Sequence, residues 1–195
     1  MHGLINRSIQ NFVCDSYGAA TWALVVVRAG LEDQEFEAML TYDDALTPRI
    51  LDAVGAELGR PRDELMEDIG TYLVSNPKVE SVRRLLRFGG VNFEDFLHSL
   101  DDLPDRARLA VSDLHLPRIE LRAYSEGHFR LICDSPIEGY GNVMMGILRV
   151  MADDYGALAF LEHEGAGNGV EAIAISLVAT DFAEGRRFDL GARTV

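Results

Sequence analysis

The feature that most constrains this chain is a change of period at Pro117. Before that residue apolar side chains recur at three- and four-residue intervals; after it they alternate. Ile119, Leu121 and Ala123 alternate with Arg118, Glu120 and Arg122, and Ser125-Glu126-Gly127 turns the chain. Phe129, Leu131 and Cys133 then alternate with Arg130, Ile132 and Asp134, which spells a β-hairpin. Helical spacing returns from Tyr140 to Tyr155 with Met144, Met145 and Met151, a stripe that reads as core. Ala157 to Glu164 and Val170 to Val178 form two further strand patterns. The GAGNG segment between them is followed by no helix, so it reads as a hairpin turn and not a phosphate cradle. Helices followed by ββαββ predict an α+β fold with a mainly antiparallel sheet.

Ahead of Pro117 the pattern is helical throughout. Residues 2–28 read as one or two helices carrying Ile5, Ile9, Phe12 and Val13, with Asp15-Ser16 placed to cap a second helix over residues 17–28. Trp22, Val25 and Val26 are its expected core residues, and Gly30 its stop. A third helix carries Leu46, Ile50, Leu51 and Val54. A fourth opens at Pro61 and ends at Asn76-Pro77. Residues 79–88 form a short basic helix. Phe93, Phe96, Leu97, Leu100, Leu103 and Ala107 then predict one helix with Pro104 inside it. An interior proline kinks or restarts a helix, and Asp101 or Asp102 is placed to cap the restart. By this pattern a single domain covers residues 1–180, with a helical lobe over about 1–115 and a sheet lobe over about 116–180. The polar tail, 181–195, is expected to fray from Phe182 onward.

Charge and composition exclude several functions. The formal net charge is −14, with a pI of about 4.7, which repels nucleic-acid backbones and anionic membranes. The apolar content, 48%, supplies a normal core, yet the longest apolar runs are too short to cross a membrane. The N-terminus has no apolar signal core. Cys14 and Cys133 make neither a CxxC pair nor a disulfide framework, so the expected location is the cytoplasm. No Gly-x-Ser-x-Gly elbow or HExxH helix occurs, and the acidic pairs read as caps and solvated faces. The chain is therefore not expected to be an enzyme.

An ordered set of short elements then points to a family. Met1-His2-Gly3-Leu4-Ile5-Asn6, Tyr17-Gly18, Trp22, Ala29-Gly30-Leu31 and Ile69-Gly70 come first. Phe88-Gly89-Gly90, Phe96-Leu97, Leu100-Asp101-Asp102-Leu103, Leu116-Pro117-Arg118 and Gly146 follow. In this order and spacing they resemble the H-NOX, or haem-nitric oxide/oxygen binding (HNOB), family over about residues 1–180. The resemblance implies a helical lobe and an antiparallel ββαββ lobe enclosing a cleft that holds haem b. It also implies an iron-ligating histidine on the helix of Leu100 and a Tyr-x-Ser-x-Arg clamp on the propionates. Its ligands are nitric oxide, carbon monoxide or oxygen. Small bacterial members pass the signal to a histidine kinase or a cyclic-di-GMP enzyme.

Two positions depart from the pattern. Pro104 stands where the ligand histidine is expected, and proline has no side-chain donor for iron. At the clamp the chain reads Cys133-Asp134-Ser135-Pro136-Ile137: Ser135 matches the serine, Cys133 replaces the tyrosine, and the arginine is missing. Charge-assisted recognition of a propionate is lost with it. By the resemblance, Leu100, Pro104 and Pro117 lie along the macrocycle, with Ile5, Ile9, Val143 and Ile147 on an apolar distal side. His115 is the first substitute for the ligand. His98 is the second, although on a continuous helix it lies about 120° around the axis from Pro104. Cys133 is a thiolate candidate. The expected function is haem-based gas sensing acting on a signalling partner. The alternative is a haem-free or weakly haem-binding homologue that serves as an interaction protein or holds another apolar ligand.

Overall fold

The computed structural model describes residues 1–31, 35–167 and 169–188. The chain forms two compact units, Met1–Ile69 and Gly70 onward.

The first unit contains α1 (Gly3–Tyr17), α2 (Ala19–Ala29), α3 (Leu46–Leu58) and most of α4 (Arg62–Ser75), which runs into the second unit. The α1 helix starts where the His2 ring accepts a hydrogen bond from the Leu4 N–H at 3.2 Å. Gly3 follows because a Cβ there would meet the Glu37 carbonyl oxygen at 2.1 Å. The boundary between α1 and α2 is not the expected Asp15-Ser16 cap but Gly18, with φ of +94°. An L side chain there would be strained, so the glycine sets the break. The predicted stop at Gly30 is present, with φ of +61°. Ile9, Phe12, Val13, Trp22, Val25, Val26, Ile50, Leu51 and Val54 are buried. Within this apolar set the Thr47 hydroxyl donates to Asn6 Oδ1 at 2.6 Å, so both oxygens are satisfied.

The second unit opens with a 3₁₀ turn at Pro77–Val79, then α5 (Glu80–Arg87), α6 (Phe93–His98) and α7 (Leu103–Ala110). The single helix expected across Pro104 is two helices. After His98 the chain tightens into three-residue turns, with Leu100 N–H donating to Leu97 O and Leu103 N–H to Leu100 O, each at 3.1 Å. Pro104 lies in the first turn of α7, where its missing N–H costs nothing. Asp102 holds the cap position without a side-chain hydrogen bond. Asp101 instead accepts from the Leu121 N–H at 2.6 Å, pinning the start of α7 to the sheet.

The sheet contains β1 (Arg118–Ser125), β2 (His128–Asp134), β3 (Leu158–Gly167) and β4 (Val170–Ala179), with α8 (Tyr140–Tyr155) between β2 and β3. All pairings are antiparallel in the order β1-β2-β4-β3. The alternation read after Pro117 holds in β2, where Phe129, Leu131 and Cys133 are buried, and Ile173 and Ile175 of β4 join them. In β1 only Ile119 is buried, while Leu121 is half-buried and Ala123 exposed, because this strand lies at the edge of the sheet. The predicted hairpin after Glu164 is present, with Gly167 opposite Val170; Asn168 of that turn lies outside the described residues. Met144, Met145 and Met151 are all core. Gly70, at the end of α4, lies so close to α8 that a Cβ would meet the Val143 carbonyl oxygen at 2.0 Å. Of the tail expected to fray, residues 182–188 are described, and residues 189–195 lie outside the described residues. Phe182 and Ala183 donate to the Gly156 carbonyl at 2.9 and 3.0 Å, and Arg186 donates to the Asp154 carbonyl at 2.9 Å. Carbonyls left open at the end of α8 give the tail its partners.

Candidate functional site

Helix α7 and the start of β1 build a concavity of about 510 Å³. Asp101, Pro104, Asp105 and Arg108 recur at helical spacing along one face of α7 and its lead-in turn, opposite the buried Leu103 and Ala107. His115 and Leu116 supply the loop, and Arg118, Ile119 and Glu120 the strand. The expected pair Pro104 and His115 therefore share one hollow. Arg118 and the Arg122 side chain flank Glu120. Glu120 accepts from Arg122 Nε at 2.7 Å, which together with Arg118 holds its carboxyl below the usual carboxylate range. Arg108 pairs with Asp105 on the helix surface. The His115 ring is exposed, with Nδ1 2.9 Å from the Asp113 carbonyl, a bond that leaves Nε2 as the nitrogen directed away from the backbone.

The other expected residues lie elsewhere. Leu100 is fully buried, and Pro117 is half-buried and outside the lining. His98 is exposed, packs edge-on against Phe129 at 5.7 Å between ring centroids, and does not line the hollow. Val143 and Ile147 are buried one turn apart on α8. Ile5, half-buried, and Ile9, buried, belong to α1 in the first unit.

Cys133 and Ser135 form a second, closed corner. Cys133 is fully buried, and burial together with the Glu171 carboxylate pushes its thiol up to about 12. At neutral pH an uncoordinated Cys133 is therefore a thiol. The Ser135 hydroxyl accepts from the Ile137 N–H at 3.0 Å and donates to the Ile137 carbonyl at 3.2 Å, leaving it committed to a local turn. Glu171 stands opposite Cys133 across the β2–β4 pair. It accepts from the Gly139 and Gly141 N–H groups at 2.9 and 3.0 Å, at the start of α8, and meets His163 Nε2 at 2.9 Å. Gly141 is required by this approach, because a Cβ would lie 2.6 Å from Glu171 Oε2. A carboxylate at a helix N-terminus is favourably placed. It also means that the corner already holds an anion.

These residues do not fit haem held in the arrangement the resemblance implies. Residue 104 offers no donor atom, and the clamp corner presents a neutral thiol, a committed hydroxyl, an isoleucine and a buried carboxylate. A different arrangement is available at the hollow, where His115 offers an imidazole and Arg108 and Arg118 offer guanidinium groups beside Leu116 and Ile119. The two arginines come from elements ten residues apart in sequence, so no local motif marks them.

Comparison with known proteins gives the class. Residues 2–162 match the family described as Haem-NO-binding, HNOB. The chain belongs to this family. It is 27% identical over 154 residues to the soluble guanylate cyclase gcy-31 of Caenorhabditis elegans, covering 79% of this chain and 22% of that protein. It is 24% identical over 155 residues to soluble guanylate cyclase 89Db of Drosophila melanogaster, covering 80% and 23%. The chain thus spans under a quarter of the length of these relatives. The Fe(II) unliganded H-NOX protein from K. algicida superposes with a TM-score of 0.78 at 16% identity, covering 97% of this chain and 100% of that one. An H-NOX protein from S. oneidensis in the Fe(II)NO ligation state superposes with a TM-score of 0.72 at 17% identity, covering 91% and 99%. The fold is that of H-NOX domains: N-terminal helices, then a four-stranded antiparallel sheet with its helix. No helix among the described residues is long and apolar enough to cross a membrane.

Proposed function

We propose that this H-NOX domain is a non-enzymatic cytoplasmic sensor that acts on a signalling partner and takes its ligand against the hollow beneath Pro104. The observation that carries this reading is the convergence of Pro104, His115, Leu116 and Ile119 with two guanidinium groups on one surface. Haem, when bound, supplies an iron centre that takes a diatomic gas. On this chain His115 would hold the iron, and Arg108 and Arg118 would hold the propionates. The Asp113 carbonyl fixes the tautomer and orientation of the His115 ring through Nδ1. Asp101 couples the position of α7 to β1 through the Leu121 N–H. A ligand that moves α7 therefore also moves the sheet edge. The partner is a histidine kinase or a cyclic-di-GMP enzyme; the guanylate cyclases among the relatives add a nucleotide cyclase to that list.

Affinity for haem is expected to be weak, because Arg108 and Arg118 are already paired with Asp105 and Glu120. Titration of the purified protein with haem tests this. Wild-type protein should take up haem with a spectrum unlike that of a five-coordinate helix-histidine site, and His115→Ala should lose most of the binding. Pro104→His should raise the affinity by at least tenfold. Stoichiometric haem in the wild type that is unaffected by His115→Ala would overturn the assignment of the ligand. A second reading, a haem-free interaction module, is favoured by the anion-filled corner at Glu171. No haem uptake except in Pro104→His would select it.

A further inference from the structure

Away from the hollow, α5 carries Arg83 and Arg87 one turn apart, Arg83 against Asp154, Arg87 against Tyr155, and both beside Phe188. Arg83 is only 4% exposed. Its Nε donates to Asp154 Oδ2 at 2.5 Å, while its Nη2 is buried with no hydrogen-bond partner. Arg87 lies over the Tyr155 ring, 3.8 Å from the centroid, and its Nε and Nη1 are likewise buried and unpartnered. The Tyr155 hydroxyl donates to the Gly90 carbonyl at 2.9 Å and lies 3.5 Å from the Arg87 carbonyl oxygen. Phe188 covers the pair, its ring centroid 5.8 Å from the Arg83 guanidinium carbon and 5.2 Å from that of Arg87.

This arrangement leaves three charged-group nitrogens out of water without acceptors, in a chain of net charge −14. Buried polar groups are nearly always paired, and buried cations almost always meet an anion. Asp154 offsets the charge of Arg83 and leaves that of Arg87 without a counter-charge from it. Cation–π contacts with Tyr155 and Phe188 orient the guanidinium groups without satisfying their N–H donors. Three unmet nitrogens on two planar forks match the three terminal oxygens of a phosphate monoester better than the two of a carboxylate. Among the described residues the segment over the site is held to the end of α8 by backbone bonds from Phe182, Ala183 and Arg186, and Phe188 follows the last of these as a cover that can lift away.

We propose that Arg83 and Arg87 form a phosphate-monoester site that the C-terminal segment closes by seating Phe188 on it. Opening the segment exposes the paired guanidinium forks, and occupancy of the site holds the segment open. Calorimetric titration of the full chain with inorganic phosphate tests the proposal. Phe188→Ala should bind phosphate at least tenfold more tightly than wild type, and adding Arg87→Gln should cancel the gain. Arg87→Lys keeps the charge and removes the fork, so in the Phe188→Ala background it should retain the fold by circular dichroism and lose most of the affinity. Acetate should not compete. Absence of phosphate binding by Phe188→Ala, indifference to Arg87→Gln, equal affinity in wild type and Phe188→Ala, or equal binding of acetate would each overturn the proposal.

Discussion

The hollow under α7 and the corner at Glu171 stand in sharp contrast, although the family resemblance assigns both to the same ligand. The hollow is lined by three carboxylates, two guanidiniums and an exposed imidazole, held mainly by surface pairs such as Arg108 with Asp105. The corner is buried and internally complete: each Glu171 oxygen has a backbone N–H, and Ser135 bonds within its own turn. Surface ion pairs are weak and easily exchanged for a guest. A buried carboxylate with its hydrogen bonds met is not. We propose that the first region receives a ligand; the second holds the start of α8 on the sheet through Glu171.

The largest effect that would break this contrast is expected at Glu171. Replacing it with leucine leaves the Gly139 and Gly141 N–H groups and His163 without an acceptor, and roughly 3 kcal/mol of stability should be lost in urea unfolding. A change under 1 kcal/mol would remove the structural role assigned to the corner. Cys133 gives the next. Its folded-state value is raised above that of an unfolded thiol, so the folded protein keeps its proton where the unfolded chain has released it. That contribution is complete below the unfolded value of about 8.5 and is lost as pH rises towards about 12. Stability should fall by about 1.4 kcal/mol per pH unit through this window. Unfolding curves should show the slope reduced in Cys133→Ala. The smallest effect belongs to the hollow: Asp101→Ala should cost about 1 kcal/mol or less, the value of one hydrogen bond. Asp101→Asn, which keeps an acceptor for Leu121, should cost less still. A loss from Asp101→Ala as large as that from Glu171→Leu would erase the distinction between the two regions.

The sequence displayed those features that depend on neighbours along the chain. Alternation in β2, the hairpin at Gly127, the methionine core of α8 and the stop at Gly30 were all legible because each is a local pattern. The break at Gly18 was displaced by three residues, because Asp15-Ser16 is an ordinary capping signal while the real determinant is a backbone angle. The gap between α6 and α7 was foreshadowed by Pro104, but the turn itself is made by hydrogen bonds at Leu100 and Leu103 that apolar spacing does not reveal. Of the proposed site, Pro104 and His115 were singled out by comparison with a family pattern. Arg108 and Arg118 were missed because they meet across two elements. The contact of His163 with Glu171 is placed by the irregular β3–β4 register between His163 and Ala166, which no alternation pattern encodes. The Arg83–Asp154 pair joins residues 71 positions apart.

The strand order β1-β2-β4-β3 has a consequence for how this protein emerges during synthesis. Among the described residues β4 is the last strand, yet it is the one that joins β2 to β3. Until Val170–Ala179 has left the ribosome, β3 has no hydrogen-bonding neighbour and the β1–β2 hairpin carries an open edge. Isolated hairpins are marginal in water. The sheet therefore closes in one late, long-range step rather than growing strand by strand. Until then α8 also lacks Glu171 at its start, and the nascent unit must wait for its final strand to become a single body.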